Sequence, residues 1–305
     1  MKIDYIGPEA ESKLKWVPLT EALKAGHARP RAKLSDVLLE RGADKMLSRS
    51  AWIDGMGLAV KTATIFPGNR AHGKPALSGS VSLFSDTDGD LEAFIDFKLL
   101  TKWKTAGDSL LAARLLARPD SRVILIVGAG AVGRSMLHAY RSVFPHAQYL
   151  IWNRTMSAAA RLADEVPGAL TTTNLEQAVR GADIIATATM SDAPVIQGKW
   201  LRRGTHLDLI GAYTPEMREV DDETLRRARI FVDSRDTTLG HIGELKIPLE
   251  AGTIEYSDVI ADFYDIEKGL FARTDPDEIT LCKNGGGAHL DLMTARHILE
   301  AARRK

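Results

Sequence analysis

The run Arg122-Val123-Ile124-Leu125-Ile126-Val127, followed at once by Gly128-Ala129-Gly130-Ala131-Val132-Gly133, decides the fold of this chain. After its first residue, the segment Arg122–Val127 is apolar without interruption and mostly β-branched, which is typical of a parallel strand buried on both faces. The glycine pattern alone is a weak signal, but here it directly follows a strand and directly precedes a helix that is predicted to run to about Phe144. The arrangement predicts a strand–turn–helix unit of the Rossmann type, which binds a dinucleotide.

Each position of the turn has a predicted task. Gly128 permits the tight turn, Gly130 lets the backbone approach a pyrophosphate, and Gly133 allows the helix to pack closely on the strand. Ala131 and Val132 open the helix, whose N-terminus faces the negative charge. The alternative is a glycine turn that binds nothing.

The next predicted strand, Ala147–Trp152, is followed by Asn153-Arg154-Thr155. Sites for NAD usually place an acidic residue about 20 residues beyond the turn to hold the ribose 2′-hydroxyl. No carboxylate stands here, and Arg154 with the Thr155 hydroxyl can contact a 2′-phosphate. We therefore favour NADP(H) over NAD(H), with an exposed loop arginine as the alternative explanation. The end of a later strand, Thr187-Ala188-Thr189, is assigned to the same cofactor site.

Strands and helices continue to alternate beyond this unit, which predicts a doubly wound sheet in an α/β nucleotide-binding domain spanning residues 117–285. The predicted elements are helices at Ser157–Val166 and Leu175–Val179 and strands at Asp183–Ala188, His206–Ile210 and Ile230–Val232.

The first hundred residues are of another kind. Apolar runs at Gly57–Ile65 and Ser80–Phe84 predict strands, and the cluster Asp86–Asp90 predicts a hairpin turn. A helix at Thr105–Leu116 and a C-terminal helix at Leu290–Arg304 complete an α+β domain, made of residues 1–116 with 286–305. We expect this domain to bind substrate and to mediate dimerisation.

The composition excludes several classes of function. The 305 residues suffice for two domains, and 40 Lys and Arg balance 40 Asp and Glu, so no net charge favours nucleic acid or a membrane surface. The single cysteine, Cys282, indicates a reducing compartment, and no metal-ligand spacing accompanies it. No apolar run resembles a signal peptide or a membrane span. A cytoplasmic protein with a small-molecule partner is predicted.

Three cations in the first domain are candidates for a ligand site. Lys61 lies inside an apolar strand, where a charge is costly unless it is paired or meets a ligand, although a snorkelling side chain is the alternative. Arg31 follows Pro30 and is typical of a surface residue. Lys104 follows Trp103 at a predicted helix start, where a cation and backbone amides could together hold an anion.

Several blocks together resemble the ornithine cyclodeaminase/mu-crystallin family. They are Met56–Lys61, Phe66–Asn69, Leu100–Ala106, Gly128–Gly133 and Ile151–Thr155, and the resemblance covers nearly the whole chain. It implies a homodimer whose first domain, joined by the C-terminal helix, supplies the substrate pocket. The family includes cyclodeaminases of ornithine and lysine, an alanine dehydrogenase, and imine reductases.

The resemblance also implies roles for individual residues. Lys61 matches a lysine that holds the substrate carboxylate or assists proton transfer, and Arg31 matches a carboxylate-binding arginine. Ser80 matches a serine or threonine near the substrate. Lys104 stands where the family usually has arginine. Its ammonium group is a single point of charge, whereas an arginine guanidinium could bind a carboxylate through two parallel hydrogen bonds. His289 is a candidate proton donor, with helix capping by its loop as the alternative.

A departure at Tyr213 separates the family's activities. Cyclodeaminases carry Gly-Gly-Asp-x-Pro-Gly after the strand His206–Ile210, and Tyr213 occupies the aspartate position. Deamination of a free amine needs that carboxylate, whereas reduction of an imine needs carboxylate recognition, a proton source and hydride. We predict a catalytic role for Tyr213, in which its phenol donates a proton or a hydrogen bond during imine reduction, and packing of the ring is the alternative.

We therefore predict reduction of pyrroline-2-carboxylate or piperideine-2-carboxylate to L-proline or L-pipecolate. The alternatives are an ornithine or lysine cyclodeaminase, an alanine dehydrogenase, and a ligand-binding protein of the mu-crystallin kind.

Overall fold

The computed structural model describes residues 3–304 of the chain. Two compact units are formed, one from Met1–Lys104 with Gly287–Lys305 and the other from Thr105–Gly286. The first boundary between the units, at Lys104 and Thr105, lies inside the helix Phe97–Leu116. The sequence analysis placed this boundary at the end of that helix, after residue 116. The second lies within one residue of the predicted position.

The first unit contains a six-stranded sheet and two helices that pack together. The strands lie in the order β1-β6-β5-β4-β3-β2, with β1 parallel to β6 and every other pair antiparallel. The C-terminal helix, α9, packs on β3, β4 and α1. The bounds are β1 Asp4–Ile6, α1 Trp16–His27, β2 Lys33–Arg41, β3 Asp44–Ile53, β4 Gly57–Ile65, β5 Leu77–Phe84, β6 Leu91–Asp96 and α9 Ala288–Arg303.

The second unit is built on an eight-stranded parallel sheet, as predicted for a Rossmann domain. The strands lie in the order β13-β12-β14-β11-β10-β7-β8-β9. The chain leaves β7 towards β8 and then returns to β10 on the other side, so the switch point lies at β7 and β10, where such sheets bind ligands. The bounds are α2 Phe97–Leu116, β7 Val123–Val127, α3 Ala131–Arg141, β8 Gln148–Trp152, α4 Met156–Asp164, β9 Ala169–Thr171, α5 Leu175–Gly181, β10 Ile184–Thr187, β11 His206–Leu209, α6 Asp222–Arg227, β12 Ala228–Val232, α7 Arg235–Thr238, α8 Gly243–Glu250, β13 Val259–Ala261 and β14 Ile279–Lys283.

The prediction that Lys104 lies at the start of a helix is wrong, because helix α2 begins seven residues earlier in the chain. The helix begins at Phe97, where the Asp96 carboxylate accepts a hydrogen bond of 2.7 Å from the backbone N–H of Leu99. Such a bond satisfies an amide that has no acceptor inside the helix, so Asp96 sets the start. Lys104 therefore lies in the helix interior, and the backbone amide beside it is not available to an anion.

Among residues 3–304, no helix is both long enough and apolar enough to span a membrane.

The Asp183 carboxylate, just before strand β10, connects several segments at the start of the second unit's sheet. Its Oδ2 accepts hydrogen bonds from the backbone N–H groups of Arg122 and Val123, at 2.8 and 2.9 Å, and its Oδ1 accepts from the guanidinium groups of Arg118 and Arg202. Burial alone would raise the pKa of Asp183, but these amides and the Arg202 charge outweigh burial and hold the pKa below its ordinary value.

Replacing Asp183 by Ala should lower the free energy of unfolding by about 3 kcal/mol, because buried N–H groups and arginines lose their common acceptor. Chemical denaturation at pH 7 measures the change. Glu176→Ala is the control, since Glu176 pairs with Arg180 on the exposed face of α5 at 2.8 Å and should contribute less than about 1 kcal/mol. Equal effects of the two substitutions would contradict the organising role of Asp183.

Candidate functional site

Glycine is required at two positions of the turn after β7. Gly128 has a φ of +116°, and a Cβ on it would lie 2.5 Å from the carbonyl oxygen of Ala188 at the end of β10. A Cβ on Gly133 would overlap the carbonyl oxygen of Gly128. The turn therefore packs against the next strand and against its own helix too closely for any side chain.

Gly130 serves a different purpose, because a Cβ placed on it would meet no heavy atom within 4 Å. Gly130 is also the N-cap residue of α3 and offers no side chain to the helix. The first amides of a helix, here those of Ala131 and Val132, have no intrahelical acceptor and favour an anion. The open space and these amides fit the pyrophosphate of a nicotinamide dinucleotide.

Asn153 connects this turn to the loop after β8. Its Oδ1 accepts a hydrogen bond from the Ala129 N–H at 3.1 Å, and its Nδ2 donates to the Thr155 carbonyl at 3.0 Å. The Asn153 side chain thus holds the two loops together. Arg154 and Thr155 are exposed, and Arg154 forms no hydrogen bond or ion pair within the described part of the chain. Both side chains are available to a phosphate.

The three residues after β10 are less available to a cofactor. Thr187 is fully buried, and the backbone of Ala188 contacts Gly128. Thr189 donates two hydrogen bonds to Glu219 Oε1, from its N–H at 2.8 Å and its hydroxyl at 2.7 Å. These residues shape the turn's surroundings, and the Thr189 side chain is already engaged.

Glu219 is a functional candidate that the sequence analysis missed. Its Oε2 accepts from the backbone N–H groups of Gly211 and Ala212, at 2.7 and 3.4 Å, while its Oε1 binds Thr189. One fully buried carboxylate therefore anchors the loops that follow β10 and β11. No local sequence pattern predicts this role of Glu219, because its hydrogen-bond donors belong to two other segments of the chain. Tyr213, next in the anchored loop, is 61% exposed.

A second buried carboxylate supports the same loop. Glu244 accepts hydrogen bonds from the backbone N–H groups of Glu219 and Val220, at 2.8 and 3.0 Å. Burial, and then the charge of Glu219, raise the pKa of Glu244 to about 7, and Lys283 opposes this. The Lys283 ammonium is fully buried and donates to the carbonyls of Leu209, Ala212 and Asn284.

In the first unit, Lys61 forms a buried ion pair. Its Nζ lies 2.8 Å from Asp291 Oδ1 on α9 and 5.6 Å from the centre of the Phe97 ring. Only 8% of Lys61 is exposed. Burial lowers the pKa of Lys61, and the Asp291 charge opposes that effect. Snorkelling is thereby excluded, because the ammonium is directed inward to a partner.

Positive charge accumulates around this pair. Lys104 and Arg49 both act on Lys61 as like charges that lower its pKa. Lys104 is also buried, and Arg31, although exposed, is near enough to lower the pKa of the buried His289. We call Lys61, Lys104, Arg49 and Arg31 the cationic cluster. Two members already pair with carboxylates, Lys61 with Asp291 and Arg49 with Asp36, each at 2.8 Å. Burial strengthens the attraction of the cluster for an anion.

His289 is fully buried, and its ring meets His27 edge-on at 5.4 Å. Burial is the largest effect on His289, followed by His27, Lys104, Arg49 and Arg31, and together they hold the pKa of His289 well below its ordinary value. The imidazole is therefore neutral near pH 7, which disfavours it as an acid.

The structure does not bring Ser80 to the cationic cluster. Lys61 pairs across the sheet with Val81, while Ser80 pairs with Thr62. Directly opposed residues share a face and successive residues alternate, so Ser80 lies on the face opposite to Lys61, where it is exposed. A one-residue difference in register separates the two side chains.

Alanine substitutions should separate the two kinds of glycine. Gly130→Ala finds open space and should leave the melting temperature unchanged, while the affinity for a reduced nicotinamide dinucleotide falls roughly tenfold, or about 1.4 kcal/mol, because a methyl group occupies the space where the backbone meets phosphate. Gly133→Ala should lower the melting temperature as well. Fluorescence titration and thermal melts measure both. Unchanged binding of both NADH and NADPH by Gly130→Ala would contradict the assignment.

Known proteins are similar to this chain over most of its length. The model of the ornithine cyclodeaminase/mu-crystallin family matches residues 46–305. The Δ1-pyrroline-2-carboxylate reductase of Paracoccus denitrificans (strain Pd 1222) is 48% identical over 296 residues, covering 95% of this chain and 94% of that protein.

Two solved structures are also similar over nearly their full lengths. The Δ1-pyrroline-2-carboxylate reductase of Thermococcus litoralis, in complex with NADH and L-proline, has a TM-score of 0.90 at 27% identity and covers 98% of this chain and 97% of its own. An archaeal alanine dehydrogenase dimer with bound NAD has a TM-score of 0.89 at 28% identity, covering 99% and 96%. The chain belongs to the ornithine cyclodeaminase/mu-crystallin family.

Proposed function

We propose that this protein reduces a cyclic imine bearing an α-carboxylate, with NADPH as the preferred reductant and NADH as the alternative. Pyrroline-2-carboxylate would yield L-proline, and piperideine-2-carboxylate would yield L-pipecolate. The observation that carries the proposal is the cationic cluster around the buried Lys61, which provides charge for a substrate carboxylate.

Within this proposal, Lys61 holds the substrate carboxylate, with Lys104 and Arg31 adding positive charge. Burial, with Lys104 and Arg31 among the nearby charges, disfavours protonation of His289, so His289 would act as a neutral hydrogen-bond donor rather than as an acid. Tyr213, exposed in its anchored loop, is the candidate to hold a proton for the imine nitrogen. The bound nicotinamide supplies a hydride to the imine carbon, and one proton on nitrogen completes the amine.

The relatives support this choice of reaction. The protein from Paracoccus denitrificans carries the name of a Δ1-pyrroline-2-carboxylate reductase at 48% identity, and the Thermococcus litoralis structure holds NADH and L-proline. A carboxylate and a ring nitrogen are common to L-proline and to both proposed imines. Pipecolate formation rests on this shared chemistry.

Tyr213 favours reduction over deamination. A tyrosine side chain has no carboxylate to offer to an amine. The nearest buried carboxylate in the same loop, Glu219, already accepts hydrogen bonds from Thr189, Gly211 and Ala212. An ornithine or lysine cyclodeaminase would need a carboxylate that is free to receive the amine.

We also propose that the protein is a homodimer. Strand β2 lies at one edge of the first unit's sheet and is exposed along its whole length. Its side chains include Val37, Leu38 and Leu39, each at least half exposed. An exposed apolar edge strand is a liability unless it is covered. The dimeric archaeal alanine dehydrogenase supports a second copy as the cover.

The reaction is tested by following NADPH oxidation with pyrroline-2-carboxylate and piperideine-2-carboxylate. The wild-type protein should oxidise NADPH with at least one of them and should release no ammonia from L-ornithine, L-lysine or L-alanine. Lys61→Met keeps the length of the side chain but removes the charge, so kcat/KM should fall at least tenfold, which corresponds to about 1.4 kcal/mol.

Three outcomes would redirect the assignment. Ammonia from ornithine or lysine would indicate a cyclodeaminase, and NAD(P)+-dependent ammonia from alanine would indicate an alanine dehydrogenase. NADPH binding without turnover of any imine would indicate a ligand-binding protein. Near-normal turnover by folded Lys61→Met would exclude Lys61 from the site.

Cofactor preference is tested at Arg154. Arg154→Ala should raise the KM for NADPH far more than that for NADH, by the roughly 1.5–3 kcal/mol of a hydrogen bond to a charged group. Arg161 on α4 is a matched control, because it is also exposed and carries the same charge. A wild-type protein that prefers NADH, with an unchanged Arg154→Ala variant, would reject the NADP(H) assignment.

A further inference from the structure

The ion pair of Lys61 and Asp291 joins two elements that are distant in sequence. Lys61 belongs to strand β4 and Asp291 to the first turn of helix α9, and their charged atoms lie 2.8 Å apart. The two side chains are 10% and 1% exposed. An isolated charge at either position would be strongly destabilising, so each side chain needs the other.

The environment makes Lys61 hard to keep charged. Burial is the largest effect, and the like charges of Lys104 and Arg49 act in the same direction. Asp291 is the carboxylate that opposes them, both by its charge and by its hydrogen bond. Two further ionisable groups near the pair, His27 on α1 and His289 on α9, are buried with lowered pKa values. Asp36 on β2 is paired with Arg49 at 2.8 Å.

Asp291 in turn depends on Lys61. Its Oδ1 accepts a hydrogen bond from the Lys61 ammonium. Its Oδ2 is buried without a hydrogen-bond partner among residues 3–304. Buried carboxylate oxygens are normally satisfied, so the compensation of this carboxylate falls on a single lysine. A pair built only for stability would gain little, since buried ion pairs barely offset the cost of desolvation.

We propose that Asp291 is the positioning residue of Lys61, holding its ammonium charged and in one orientation so that it can bind the substrate carboxylate. This proposal rests on the proposed function for the role of Lys61, but not for the pairing itself. Asp291 acts through Lys61 and is not assigned a contact with substrate.

The titration of Lys61 tests the pairing directly, without turnover. Protein labelled with ¹³C at lysine Cε shows each lysine's protonation by NMR, and Lys61→Met identifies the Lys61 resonance. Asp291→Asn keeps an oxygen acceptor but removes the charge, so Lys61 should lose its proton about one pH unit or more below the wild-type value. Glu92→Gln is the control, because it breaks another ion pair of α9, that of Arg296 at 2.6 Å.

The kinetic consequence has a defined sign. Lys61 binds a carboxylate only while it is protonated, so the KM for the imine should rise as pH increases through the pKa of Lys61. In Asp291→Asn this rise should begin at lower pH by the same interval, while kcat changes less. Asp291→Glu, which restores the charge, should return the Lys61 titration towards wild type.

Two results would overturn the proposal. One is a Lys61 titration in folded Asp291→Asn that matches wild type and Glu92→Gln, which would reduce Asp291 to a structural residue. The other applies if Asp291→Asn does not fold: Asp291→Glu moves the carboxylate by one methylene and should raise the KM, so an unchanged KM would reject positioning. A shifted titration in a chain that reduces no imine would reject the proposed function alone.

Discussion

The cost of burying a charge constrains both units of this chain. In the first unit it forces Lys61 and Asp291 together across β4 and α9, 2.8 Å apart. In the second unit it engages the fully buried Glu219 and Lys283 in hydrogen bonds to the backbone of neighbouring loops. A buried ion cannot be left without partners, and each of these partners comes from another segment of the chain. The candidate site residues are therefore held by the same contacts that make their burial tolerable.

The sites proposed in the two units would recognise negative charge by different means. The turn after β7 would use backbone groups. Gly128 and Gly133 leave no room for a side chain, and the helix that begins after Gly130 has no side-chain cap. A hydrogen bond from Ala129 to Asn153 holds the turn to the next loop. The cationic cluster uses side chains concentrated around one buried lysine. Backbone amides suit a phosphate, which can accept several hydrogen bonds at once. Side-chain cations suit a small carboxylate, for which a single charge-assisted contact is enough.

Local patterns predicted the elements that short-range forces control. The strand Gly57–Ile65 has the predicted bounds, and the βαβ unit around Gly128–Gly133 lies within a few residues of its predicted position. Seven strands were not predicted: β1, β2, β3, β6, β9, β13 and β14. Strand β14 is short and fully buried, so it has no alternation of its own and depends on its neighbours in the sheet. The start of α2 was missed because the signal, a capping Asp96, lies at the end of a strand.

The sequence by itself determined the class of fold, the position and glycine spacing of the nucleotide turn, and the residues Asn153-Arg154-Thr155 that follow the second strand, since each depends on local geometry. It also determined the family, which the comparison confirmed. Only the tertiary structure decided that Lys61 pairs with Asp291, that Glu219 anchors two loops, and that Ser80 turns away from Lys61. Those facts depend on which strand lies beside which and in what register. Register and long-range packing are set by the whole core, so no short segment of sequence carries them.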